Sequence, residues 1–586
     1  MPNHPYFTEE QLVERFGSLD KEGTELYEHA MSDFEEKNVE GLHNLFVLVM
    51  GALETEYHHI IPALSRSTGS EESLSFLKQR LIDCQEHHAK CQAQCEDTGW
   101  CPTRLVEVTD QQIKLIVCDR EPPVSRYATL SHCWGGASIL KCTTENLEAL
   151  QRDIQYDSLP RTFQHVINTI RSLGIRYVWI DSLCIIQNSN EDWQTEAAAM
   201  GDVYQHAVLN IAATHGKDSH AGLFTPQYPQ TNSAVFQMNG GEADGIEMIV
   251  TENLNWTDLI ELGSLNQRAW VLQESLLSTR IIHFARGHTF WECAQLCAWE
   301  LVPRGPQGRA KAPVGTWTFQ SVSPLADLDL EGIWALVIRI YPFCNITFQS
   351  DKLVALSGIV RKLATRFGDQ YHQGLWRGGM EKQLCWASGI WRNDQPRIDQ
   401  IPSWSWASLK DTQIVPGFFY GGGWKEKSVS VRAAGTASVI DVTEDSMQIR
   451  IRCPCYSFEF TSNPIWNAIF KADLVIPGVL PAVKFQATHD TADLTSVGDW
   501  LVATMYSGVL YSGAYDIHGL LLEPVPGTCG TYRRRGKILA AECKQEMREL
   551  WKTNRLWYKN YLTPIPGVCT KCRDHDDRLG CLITLV

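Results

Sequence analysis

Two acids stand where their neighbours could put them to chemical use. Asp181 closes the apolar run Tyr177-Val178-Trp179-Ile180 inside the stretch 176–187, which reads as a strand buried on both faces. An acid at the carboxyl end of such a strand faces the crevice in which open parallel α/β sheets bind ligands. Glu274 follows Trp270 by four positions in a stretch with helical spacing, 266–274, so a carboxylate sits beside an aromatic plane on one helix face, with Arg268 just before it. A third feature is the strand 127–136, which runs through Ser131, His132 and Cys133 into Trp134-Gly135-Gly136; paired glycines let a backbone bend sharply or come close to a ligand. Each acid also has a plainer reading. Asp181 could cap the turn that follows it, and Glu274 could pair with Arg268 or another arginine while Trp270 packs in the core.

The thiols are weaker candidates. A nucleophilic cysteine needs a nearby base, and His132-Cys133 offers one in sequence, but adjacent residues of a strand point to opposite faces. Cys184 lies in an apolar run that would keep its thiol protonated and inert. Cys84, His87, His88, Cys91, Cys95 and Cys101 could ligate zinc, yet their spacing is not that of a standard finger and core packing explains them as well. Near the carboxyl end, Cys569, Cys572, His575 and Cys581 form a second irregular set of soft ligands. No metal site is assigned from spacing alone.

These residues need a scaffold, and the pattern supplies one. The helix 161–173 opens after Pro160, buries Val166, Ile167, Ile170 and Leu173, and stops at Gly174, so residues 127–183 make one βαβ unit. A hairpin is expected at 104–108 and 113–118, a helix at 192–206, a third buried strand at 208–213, an excursion loop at 226–244, and closing strands at 280–284 and 289–293. Residues 1–100 read as a helical region, 101–300 as the central domain with its core blocks at 127–284, 301–380 as a helical connector, and 381–586 as a β-rich region. Within the last, Pro402-Ser403-Trp404-Ser405-Trp406 alternates as a strand would, with both tryptophans on one face.

Composition narrows the function classes. The chain has 586 residues, 44% of them hydrophobic, with 20 Trp and 20 Phe, which is material for several cores. Its net charge of -16 argues against a nucleic-acid or anionic-membrane binder, which gathers Lys and Arg to displace counterions. The amino terminus lacks the basic flank and apolar core of a secretory signal, and no run approaches the roughly 20 apolar residues of a membrane span. An odd total of 19 cysteines in apolar contexts fits reduced thiols, so a cytoplasmic protein is expected.

Four blocks occur in order: YATLSHCWGG, LPRTFQHVINTIRSLGIRYVWIDSLCIIQ, DWQTEAAAMGDVYQHAVLNIAAT and NQRAWVLQESLLSTRIIHF. They resemble the successive blocks of the HET (heterokaryon incompatibility) domain of filamentous fungi. CPTRLVEV before them, and DKLVALSGI, GLWRGG and PSWSWAS after them, resemble the usual flanks, so the likeness covers residues 84–410 well and the rest loosely through HGLLLEP and TYRRRG. His132 departs from the aromatic residue that many relatives carry. The resemblance implies a part in fungal non-self recognition and programmed cell death, through a protein partner and self-association.

HET domains are in turn similar to TIR domains, a flavodoxin-like α/β fold, some of whose members cleave NAD with a glutamate. In that likeness 127–136 matches the first strand and loop, 174–181 the second strand ending in an acid, and 270–274 the block that carries the glutamate, with Val271 in place of a cysteine. It implies that Glu274 and Asp181 are catalytic, that Ser131, Trp134, Gly135, Gly136, Arg268 and Trp270 shape the pocket, and that NAD is substrate rather than resident cofactor. The transition state of glycosidic cleavage resembles an oxocarbenium ion, which calls for a carboxylate by the ribose and an aromatic platform for the base. The other reading implied is a non-enzymatic, self-associating interaction module.

Overall fold

The computed structural model describes residues 67–94, 99–136, 138–227, 233–238, 246–251, 257–300, 329–388, 397–410, 414–416, 437–453, 455–458, 469–474, 483–489, 500–509, 515–528, 530–543, 575–576 and 580–586. The chain divides into two compact units. The first takes Met1–Asn266 and Glu274–Ser323, the second Gln267–Gln273 and Pro324–Val586.

The first unit is an α/β domain. It opens with helix α1 (Glu71–His87), whose N-cap Ser70 accepts from the Ser73 N–H at 3.2 Å, and continues into the short α2 (Ala89–Gln94). A hairpin of β1 (Arg104–Val108) and β2 (Ile113–Val117) follows, then β3 (Tyr127–Ser131), buried at every position. After α3 (Leu147–Arg152), the amphipathic α4 (Arg161–Leu173) buries Phe163, Val166, Ile167, Ile170 and Leu173. It ends at Gly174, whose φ of +74° is the left-handed C-terminal conformation that glycine adopts without a Cβ penalty. Strand β4 (Tyr177–Trp179), the one-turn α5 (Asp181–Cys184), α6 (Asn190–His206) and β5 (Leu209–Ala212) come next.

The expected long strand over 176–187 is therefore corrected. The run leaves the sheet after Trp179, because Cys184 N–H bonds back to Ile180 O at 2.8 Å and Ile185 N–H to Asp181 O at 3.1 Å, closing a helical turn. The expected loop over 226–244 contains β6 (Ser233–Met238), paired antiparallel with β7 (Ile246–Thr251). Helix α7 (Ala269–Leu277) then leads to β8 (Arg280–Ala285), β9 (His288–Cys293) and β10 (Cys297–Trp299).

Eight of these strands form one sheet in the order β10-β9-β8-β5-β3-β4-β1-β2. Its middle is parallel: β4 and β5 both flank β3, and β8 pairs with β5. Its margins are antiparallel, β9 and β10 on one side and β1 and β2 on the other. The chain leaves β3 for β4 on one side and afterwards crosses to β5 on the other. The topological switch point, where such sheets open a crevice beyond the strand ends, thus falls between β3 and β5.

The second unit contains α8 (Leu330–Ile340) and α9 (Ser357–Phe367), and a ten-stranded sheet that includes Ser438–Val442, Ile449–Cys453, Trp500–Val509, Tyr515–Pro524, Thr531–Cys543 and Gly580–Leu585. Trp334, Trp376, Trp386, Trp404 and Trp406 are fully buried in it, with the Arg534 guanidinium 3.4 Å over the Trp386 ring. The alternating Pro402–Trp406 stretch is not a strand. It turns into a 3-10 helix at Trp406–Ser408, capped by Ser405 Oγ, which accepts from the Ala407 N–H at 3.1 Å. Among the described residues no helix is long and apolar enough to cross a membrane.

Candidate active site

Polar side chains of β3 and β5 form a row that reaches the carboxyl end of β3 at Ser131. Register fixes them on one face, because Thr129 lies opposite Asn210 and Ser131 opposite Ala212 in the parallel pair. Thr129 Oγ1 donates to Asn210 Oδ1 at 3.2 Å, Asn210 Nδ2 donates to Ser131 Oγ at 3.0 Å, and Ser131 Oγ donates to Glu274 Oε2. Ser131 Oγ also stands 3.2 Å from Asn210 Oδ1, so the serine hydroxyl is held between the amide and the carboxylate. Glu274 itself is 3% exposed. Helix α7 delivers it to the switch point from the connection between β5 and β8.

Asp181 lies one strand further along the same edge. Trp134 Nε1–H donates to its Oδ2 at 2.7 Å, the Ser182 N–H to its Oδ1 at 2.7 Å, and His132 Nδ1 stands 3.9 Å from Oδ1. Trp134 is half-buried, and Lys141 Nζ sits 4.8 Å from its ring centre. The turn beside it needs glycine. Gly135 has φ +66°, and a Cβ there would stand 2.3 Å from Asp218 Cβ, whereas Gly136 is open to solvent and meets nothing within 4 Å.

Tyr204 of α6 connects the two acids. Burial first, then the charges of Glu274 and Asp181, hold its phenol well above the usual range, while its hydroxyl donates to Leu130 O at 3.3 Å. Its ring packs edge-on against Trp179 with centroids 5.9 Å apart. The Trp179 indole is fully buried, and its Nε1–H has no hydrogen-bond partner among the described residues.

Of the residues singled out from sequence, the first unit brings Ser131 to Glu274 and Trp134 to Asp181, with Gly135 and Gly136 in the adjoining turn. Arg268 and Trp270 belong to the second unit, where Arg268 bridges Asn345 and the Ala269 N–H donates to Asn345 O at 3.0 Å. Both are half-buried. Sequence reasoning missed Thr129, Asn210 and Tyr204; the first two are polar residues inside strands otherwise buried throughout, a signal that was present. The Cys184 thiol is fully buried and pushed far above its usual range by that burial, which removes it as a nucleophile.

Residues 127–274, from the first residue of β3 to the buried glutamate, match the family Heterokaryon incompatibility protein (HET). The chain carries a HET domain. No curated protein and no solved structure matches the chain. The HET match thus encloses the parallel strands β3, β4 and β5 together with every residue of the Thr129–Asn210–Ser131–Glu274 chain, and it leaves the β1–β2 and β9–β10 margins outside.

Proposed function

We propose that the HET domain acts in heterokaryon incompatibility by hydrolysing NAD at the nicotinamide glycosidic bond, as a TIR-like enzyme. The observation that carries this reading is the buried Glu274 carboxylate, held by Ser131 at the switch point of the sheet. The parallel strands, taken in chain order, lie second-first-third-fourth across the sheet, the order with which a flavodoxin-like fold begins, and this supports the TIR-like part.

In the reaction the N-glycosidic bond breaks with its electron pair leaving on nicotinamide, which neutralises the pyridinium. Water then bonds to the ribose carbon and loses a proton, giving ADP-ribose. Glu274 stabilises the positive charge that develops on the ribose, and its fixed hydrogen bonds mean that little reorganisation is needed as the charge appears. Asp181 accepts the water's proton or orients a hydroxyl. The half-buried Trp134 indole offers the base a flat face.

The test incubates the purified full chain with NAD and measures nicotinamide release, both in dilute solution and in the concentrated, self-associated state. Glu274→Gln keeps size and hydrogen bonding but removes charge, and is expected to abolish release while the thermal melt stays within a few degrees of the parent. Release by the parent with equal release by Glu274→Gln overturns the catalytic role. No release in either state, with the parent folded, favours the interaction-module reading instead.

A further inference from the structure

The same unit holds a second cluster of reactive side chains, at the junction of the amino-terminal helices with the antiparallel margin. Helix α1 presents Cys84 in its last turn. The chain then leaves helical geometry at His88 (φ −94°, ψ 93°), whose N–H still bonds to Cys84 O, and restarts as α2 with Cys91 N–H on His88 O at 3.0 Å. This break folds Cys84, His88 and Cys91 inward together. From the far end of the domain, β9 ends on Cys293 in a tight turn, with the Cys293 N–H donating to Leu296 O at 2.9 Å. Its sulfur stands 3.3 Å from His88 Nδ1.

The ligand atoms of Cys84, His88, Cys91 and Cys293 all lie within 4.8 Å of one another. A tetrahedral zinc with sulfur at about 2.3 Å holds its ligand atoms about 3.8 Å apart, so the four groups need only a small contraction to close on the ion. We propose that Cys84, His88, Cys91 and Cys293 bind one structural zinc ion that clasps α1 and α2 to the β9–β10 turn.

Three buried thiols commonly serve as small core residues. The surroundings of these three argue for more. The buried Arg280 guanidinium aims Nε–H at Cys84 Sγ at 3.1 Å, and the Leu296 N–H donates to Cys293 Sγ at 3.3 Å. Donors directed at sulfur suit thiolates, the form that binds metal, and an uncharged thiol is a poor acceptor for a buried cation. The charges also balance: three thiolates, a neutral imidazole and a divalent ion sum to one negative charge, which Arg280 offsets. Soft sulfur ligands with one imidazole select zinc over magnesium or calcium, and four protein ligands leave no open position, so the site is structural rather than catalytic. None of the described cysteines is in a disulfide. His87 points away into solvent, Cys101 lies beside Cys118 instead, and Cys95 falls outside the described residues.

The carboxyl-terminal set must be kept apart in any test. Cys569 and Cys572 lie outside the described residues, and His575 and Cys581 fall in strand residues whose side chains are not described. The background is therefore a full-length Cys569→Ser/Cys572→Ser chain, purified through a tag that binds no metal and analysed by mass spectrometry for metals. About one zinc per chain is expected, falling to background in Cys293→Ser. Should Cys293→Ser fail to fold, His88→Cys and His88→Ala decide: the first retains zinc, and the second releases it to a chromophoric chelator at least tenfold faster. Replacement by cobalt in the background chain should give a sulfur-to-metal charge-transfer band that Cys91→Ser weakens. A folded background chain without metal, or one whose zinc content is unchanged in Cys293→Ser, overturns the proposal.

Discussion

Two of the polar clusters inside the first unit differ in place and chemistry. The Thr129–Asn210–Ser131–Glu274 chain sits on the parallel middle of the sheet, and its hard oxygen and nitrogen atoms are hydrogen-bonded to one another. The Cys84–His88–Cys91–Cys293 cluster sits at the antiparallel margin, and its soft atoms converge on a common centre. The centre of the sheet is tied by crossover helices and needs no further fastening, so a polar group there is free to serve a ligand. The margin joins segments that no sheet pairing connects, so a polar group there can fasten them. Position in the topology separates a site that acts from a site that holds.

That contrast can be broken or sharpened by experiment. The largest effect is expected from Cys293→Ser, which should cost the first unit its cooperative melting in calorimetry, because a structural metal contributes folding free energy directly. Glu274→Gln should do the reverse, lowering nicotinamide release by about 10²-fold or more with little change in melting. If Glu274→Gln instead lowers the melting temperature as far as Cys293→Ser does, the division between the clusters is wrong. Ser131→Ala leaves Asn210 and Glu274 each short of a partner, and chemical denaturation should show a loss of about 1–3 kcal/mol together with a smaller fall in turnover.

Gly135→Ala comes next, with a loss of about 1–3 kcal/mol from the left-handed backbone and the Asp218 contact, read by the same denaturation. The smallest effect is one of pH. His165 is held neutral, its pKa lowered from 6.5 to about 4 by burial and then by Arg161, and its Nδ1 accepts from the N–H groups of Leu223 and Phe224 at 3.0 and 3.2 Å. The unfolded chain takes up this proton as pH drops below 6.5, and the folded chain not until about 4. Stability is therefore complete above that window and falls as pH falls through it. Melting temperatures taken across the range should decline less in His165→Gln than in the parent.

The elements that sequence made legible are those with one buried face. Helix α4 shows its stripe of Val166, Ile167, Ile170 and Leu173 and its stop at Gly174, and the β1–β2 hairpin shows paired strands around a polar turn. The end of β4 was illegible because Ile180, Leu183 and Cys184 are buried as completely as the strand before them, and a run with no polar face carries no period. The Pro402–Trp406 stretch misled for the opposite reason: its serines alternate with tryptophan for separate local roles, Ser405 Oγ accepting from the Ala407 N–H at 3.1 Å to cap a turn and Ser403 Oγ donating to Val586 O. At the site, Asp181, Ser131 and Glu274 could be named from strand ends and helix spacing, but the contact between the last two spans 143 positions. The metal cluster was half visible. Cys84, His88 and Cys91 share a short stretch, while Cys293 lies 205 positions beyond His88, and no local pattern connects them.

That last separation has a consequence in the order of synthesis. Cys84, His88 and Cys91 emerge from the ribosome long before the residue that completes their cluster, and every strand of the parallel sheet is made in between. The cluster cannot close until β9 has been translated and has paired with β8. Closing it is therefore a late step in the assembly of the domain, and a nascent chain that stalls within the HET match carries an open set of thiols.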